Sequence, residues 1–93
     1  MQLLRENRED ILRCAREHGA RNVRIFGSLA RGDADEASDV DFLAEMERGR
    51  SLFDMGGLQF ALEQMLGRSV DLVSEKGLRE RIRERVLGEA RPL

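Results

Sequence analysis

Two short groups of residues could do chemistry together: Gly27-Ser28 and, after ten intervening residues, Asp39-Val40-Asp41. Along a strand, residues i and i+2 project to the same face, so Asp39 and Asp41 point together while Val40 and Phe42 point to the other side. Their backbones are then roughly 7 Å apart, and the carboxylate oxygens can converge further. Such a pair repels itself without a cation. Hard oxygen ligands completed by water and phosphate suit magnesium, and two such ions about 4 Å apart can clamp an in-line phosphoryl displacement. Gly27 lets backbone approach a phosphate closely, and the amides and hydroxyl that follow, at Ser28, are donors for an anion. Turn and carboxylates together read as apparatus for moving nucleotides.

Other residues bear on the same chemistry. Asp71 lies mid-strand between Val70 and Leu72; it reads as a third carboxylate of the clamp if that strand is central, or as a solvated residue if the strand is an edge. Arg31 shares the segment after Ser28 and could reach a phosphate oxygen, or be a surface residue. Asp33, Asp35 and Glu36 make the intervening loop acidic. His18, the only histidine, suits a helix end near the negative pole of the macrodipole. Cys14 is alone, which excludes an intramolecular disulfide and cysteine-based metal spacing. The chain has no tyrosine, so a phenolic acceptor would have to belong to another molecule.

The elements that must position these residues follow from periodicity. Leu4, Ile11, Leu12 and Ala15 fall at helical spacing over residues 2 to 18, with Gly19 as the stop. Residues 22–26 alternate as a strand and run into Gly27-Ser28, where Ser28 is expected to cap a short helix to about Arg31. Residues 39–43 form a second strand. Ser51 and Asp54 predict a capped helix with Leu58, Leu62, Met65 and Leu66 on one side, ending at Gly67. Gly56-Gly57 is awkward there, at about 1 kcal/mol per glycine relative to alanine, and implies a late start, a bend or close packing. Residues 69–73 are a third strand, and Leu78, Ile82, Val86 and Leu87 mark a last helix whose arginines at 79, 81, 83 and 85 mostly face water. The expected fold is α/β, order α-β-α-β-α-β-α, with a small mixed sheet of three strands or slightly more.

Length and charge bound the rest. Ninety-three residues predict a single domain over 1–93. A net charge of -2 argues against a protein that coats nucleic acid, so no stable nucleic-acid binding is expected. The charge-dense start reads as neither secretion signal nor membrane span, so the expectation is a cytoplasmic protein with no membrane association.

Gly27-Ser-Leu-Ala-Arg-Gly32 followed by Ser38-Asp-Val-Asp-Phe-Leu43 resembles the signature of the DNA polymerase beta-type nucleotidyltransferase superfamily. Within it, the chain is most similar to the minimal nucleotidyltransferases, the MntA-type antitoxins. The similarity extends to Gly19-Ala-Arg-Asn-Val-Arg-Ile-Phe26, Ser51-Leu-Phe-Asp54, Leu66-Gly-Arg-Ser-Val-Asp-Leu-Val73 and Glu89-Ala-Arg-Pro-Leu93. The resemblance implies a nucleotidyltransferase fold and magnesium-dependent transfer of AMP from ATP to a tyrosine of a cognate HEPN toxin, with which a hetero-oligomer is possible. It implies that Asp39, Asp41 and Asp71 bind two Mg2+ ions, that Asp71 also serves as general base, and that Gly27 and Ser28 hold the triphosphate. The alternatives are an idle antitoxin that neutralises its toxin by covering it, and an enzyme acting on RNA or a small molecule.

Overall fold

The computed structural model describes residues 2–33, 35 and 38–93. A mixed sheet of four strands has helices on both faces. The elements in order are α1 (Gln2–Glu6), α2 (Arg8–Glu17), β1 (Ala20–Phe26), α3 (Gly27–Arg31), β2 (Val40–Met46), α4 (Leu52–Leu66), β3 (Val70–Ser74), a 3-10 turn (Glu75–Gly77), α5 (Glu80–Glu89) and β4 (Arg91–Pro92). The sheet order is β3-β2-β1-β4; β2 runs antiparallel to β1 and parallel to β3.

Alternation along β2 sorts the two faces. Val40, Phe42 and Ala44 are buried in one core with Ile11 and Ala15 of α2 and Leu58, Leu62 and Leu66 of α4. Leu43 points the other way and is fully buried too, under the side of the sheet that carries α3 and α5. The helix α4 has the expected limits. The Ser51 hydroxyl accepts from Phe53 N–H and Asp54 reaches back to Ser51 N–H, while Gly67 closes the helix at φ +66°. No late start occurs. Close packing does: a Cβ on Gly57 would stand 3.3 Å from His18 Cδ2, whereas one on Gly56 would meet nothing within 4 Å. His18 itself ends α2, its Nδ1 donating to the Cys14 carbonyl at 2.8 Å.

Three expectations need correction. The first helix is two: Asn7 departs from helical dihedrals at φ -106° and ψ 7°, its side chain sharing the Leu3 carbonyl, at 2.8 Å, with its own N–H, at 3.2 Å. Ser28 lies inside α3 rather than capping it; Phe26 precedes the helix and no side chain caps that end. In α5 only Val86 is buried, Ile82 is 41% exposed and Leu78 precedes the helix; the arginines do mostly face water, Arg79, Arg81 and Arg85 being exposed and Arg83 partly so while it donates to Glu75. The expected allowance for slightly more than three strands is met by β4, too short and proline-bearing to be seen by alternation, which pairs Arg91 and Pro92 with β1.

Candidate active site

Three segments end at one corner of the α3–α5 face. β1 finishes at Phe26, which pairs across the sheet with Asp41; Asp41 in turn is level with Asp71 of parallel β3. Adjacent strands lie about 4.8 Å apart, and register partners project to the same face, so these two carboxylates stand side by side. Asp39 immediately precedes β2. Its stem is held from the other side: Arg68 donates to the Asp35 and Ser38 carbonyls at 2.6 and 2.9 Å, and Val40 N–H donates to the Ser69 carbonyl at 2.9 Å. The turn between α4 and β3 thus fixes where Asp39 and Asp41 begin.

Gly27 enters this corner at φ +70°. A Cβ there would collide with Asp41 Oδ2, so the absence of a side chain is what lets the turn lie on the carboxylate. The first N–H groups of α3 have no partner within the helix, and Ser28 sits among them, half-buried. Arg31 ends α3 on the surface, donating to Asp33 at 3.3 Å and to Glu89 at 3.2 Å. Those two carboxylates raise its already high pKa. Sequence reasoning missed Glu89, which no local pattern could have connected to a residue 58 positions earlier. Of the acidic loop, Asp33 and Asp35 are described, Asp35 being locked to Ser38 Oγ; Glu36 lies outside the described residues.

Burial pushes the Asp41 carboxyl above its ordinary range, the charges of Asp71 and Asp39 push it further, and Arg31 opposes them. This is the electrostatic signature of a carboxylate cluster short of positive charge. Asp39 and Asp71 are exposed. β3 is an edge strand, so the exposure of Asp71 by itself needs no special cause; its register beside Asp41 is the informative fact. Among the described residues no three acidic, histidine or cysteine side chains are already gathered tightly enough to grip an ion, as expected for like charges that repel. The donor set is nonetheless of the right kind for magnesium: carboxylate oxygens only, open to water on one side.

The far end of the same face is different. Arg24 of β1 donates to Glu75 at 2.7 Å and Arg83 of α5 to the same carboxylate at 3.4 Å, both of the first pair being largely buried. Glu75 and Arg83 border an open depression of about 500 Å³ lined also by Arg21, Glu45, Arg48 and Lys76. It contains none of Asp39, Asp41 and Asp71, and the network ties α5 to the sheet.

Comparison with known proteins gives one answer throughout. Residues 8–93 match the family model described as a nucleotidyltransferase domain. A Methanocaldococcus jannaschii protein assigned as a protein adenylyltransferase is 36% identical over 87 residues, 94% of each chain. The protein adenylyltransferase MntA of Thermococcus cleftensis is 44% identical over 71 residues, covering 76% of this chain and 72% of that one. A solved structure assigned as a minimal nucleotidyltransferase superposes with TM-score 0.90 at 53% identity, covering 99% of this chain and 94% of the other. A toxin–antitoxin crystal structure with AMP-PNP shares the fold at TM-score 0.79 and 20% identity, over 92% of this chain and 71% of that one. Among the described residues no helix is long and apolar enough to cross a membrane.

Proposed function

From a chain that belongs to the nucleotidyltransferase domain family, and within it to the minimal adenylyltransferases, we propose an antitoxin that transfers AMP from ATP to a tyrosine hydroxyl of a cognate HEPN toxin. The observation that carries this reading is the shared register of Asp41 and Asp71 beside a glycine packed on Asp41. That corner suits a triphosphate on the turn, at Gly27 and Ser28, facing carboxylates that lack a counter-charge. The solved relative with AMP-PNP and the naming of MntA support the nucleotide and the protein acceptor.

Asp39, Asp41 and Asp71 would hold magnesium, which supplies charge neutralisation on the phosphates when bound. The chain's own residues do the rest. Ser28 and the amides at the start of α3 orient the triphosphate, and Arg31, on the same short helix, contacts it once released from Asp33 and Glu89. In this reading Asp71, exposed at the sheet edge, takes the phenolic proton. The tyrosine oxygen then bonds to the α-phosphorus, the bond from that phosphorus to the bridging oxygen breaks, and pyrophosphate leaves with the electron pair. With no tyrosine in the chain, the acceptor comes from the partner, reached across an edge strand open to solvent. The reading places the protein in the cytoplasm, alone or in complex with the toxin.

The test is incubation with ATP, magnesium and the product of the neighbouring gene. AMP mass on a tyrosine of that product is expected, and its loss together with loss of protection in Asp39→Ala/Asp41→Ala. Protection retained by the double variant would mean masking rather than transfer, and label appearing only on RNA or a small hydroxyl compound would refute the protein acceptor.

A further inference from the structure

The helix α4 carries a face that AMP transfer leaves unused. In a chain with 37% charged residues, its exposed positions are Leu52, Phe53, Gly56, Phe60 and Gln64, none of them ionic. Leu52 is 83%, Phe53 91% and Phe60 63% exposed. The two acids of the helix are spent within the chain, Asp54 on Ser51 and Arg50, Glu63 on Val70 N–H. Phe53 and Phe60 are two turns apart and so share one stripe. Their midpoint is Gly56-Gly57. Gly57 is accounted for by His18, but a Cβ on Gly56 would touch nothing, so no packing inside the molecule requires that glycine. A bare backbone in the centre of an apolar helix face is what a second helix needs in order to approach closely.

We propose that this face is a two-fold interface between copies of the chain, the α4 helices crossing antiparallel at Gly56 so that Phe53 of each copy lies on Phe60 of the other. A two-fold contact must be self-complementary, and a stripe symmetric about its glycine centre meets that condition. Its lack of charge removes like-charge repulsion between copies and offers no ionic handle to a charged partner. The three apolar side chains expose on the order of 400 Å², about half of the roughly 800 Å² that each partner brings to a standard interface; Gln64 and the flanks of α4 add to it. By strand alternation the helix lies on the opposite face of the sheet from Asp41 and Asp71, so the pairing leaves that corner open. The inference does not rest on AMP transfer.

Sedimentation equilibrium of the full chain, from low micromolar to near-millimolar concentration, tests it. A monomer–dimer equilibrium is expected, weakened about tenfold or more by Phe53→Asp with Phe60→Asp, the scale of losing central aromatic anchors. Circular dichroism and ATP binding should be unchanged in that variant. Gly56→Leu improves the isolated helix and should still favour the monomer, and Gly56→Cys on a Cys14→Ser background should oxidise to a linked dimer. A wild-type chain that stays monomeric throughout overturns the proposal, as does a dimer indifferent to the aspartates. A monomer whose capture of a toxin is lost in Phe53→Asp would give the face to another protein, and would overturn it equally.

Discussion

Gly27→Ala separates a strained turn from a displaced carboxylate. Gly27 and Gly67 have nearly the same left-handed backbone, φ +70° and +66°, but a Cβ at Gly67 would meet nothing within 4 Å while one at Gly27 would run into Asp41. Alanine at either position therefore carries the same conformational penalty, about 1–2 kcal/mol, or roughly 5–15 °C in Tm for a domain of this size. Only at position 27 is there a second consequence. Asp41 Oδ2 must retreat by roughly 1 Å to restore ordinary contact at about 3.5 Å, and a misplacement of that order at a reacting centre costs about 10²-fold in rate. Thermal melts of both variants, Mg-ATP titration calorimetry and AMP-transfer assays form the experiment. Comparable losses of Tm are expected, with transfer falling about a hundredfold in Gly27→Ala and staying near wild type in Gly67→Ala. Equal activity in the two variants, or unimpaired Mg-ATP binding by Gly27→Ala, would show that contact between turn and carboxylate has no part in the chemistry.

Asp41 holds its proton more tightly folded than unfolded, so its contribution to stability is full at low pH and is lost as pH rises through the folded value; metal-free Asp41→Asn should melt higher than wild type at pH 7, and a lower melt would contradict the assignment. Glu75 has the opposite sign, its carboxyl lowered first by the hydrogen bond from Arg24: acid titration of stability should show wild type losing support as pH falls below the ordinary glutamate range, and Glu75→Gln losing less. Releasing Arg31 with Glu89→Gln should tighten ATP binding by roughly two- to fivefold, the scale of an exposed ion pair, measured by calorimetry without turnover; unchanged or weaker binding would leave Arg31 out of the nucleotide site. Ser51→Ala removes the α4 cap and should lower stability by about 1 kcal/mol in denaturant titrations.

The parts of the fold set by local chemistry were legible in the residues. The limits of α4 follow from a hydroxyl, a carboxylate three positions on and a terminal glycine, all of which act within a few residues. The strand carrying Asp71 is placed within one residue at each end; the one carrying Asp41 starts where expected to within a residue but runs three residues further, to Met46. What could not be read is what depends on residues distant in sequence. Nothing near Asp71 says that its strand lies at the sheet edge, level with Asp41; that is decided by the parallel pairing of β2 and β3 around α4. The break at Asn7 escaped for a different reason, since a side chain competing for the Leu3 carbonyl leaves the apolar period intact. The ion pairs of Arg31 and Arg83 were hidden because their partners, Glu89 and Glu75, meet them only through the packing of α5.

An edge strand is an unexpected place for a third carboxylate, since it exposes unpaired backbone donors. Here α4 resolves the conflict. Glu63 accepts from Val70 N–H at 3.0 Å and Gln59 from Leu72 N–H at 3.4 Å, so the donors flanking Asp71 are satisfied by side chains where a fifth strand would otherwise stand. The edge is thereby closed to further pairing while its outer face, with Asp71, stays open to solvent. A fifth strand would satisfy the same donors but would extend the sheet beside Asp71. The roughly four turns of one helix thus supply core leucines, a sealed edge and an outward apolar stripe, which is how a chain this short keeps the corner with Asp71 uncovered.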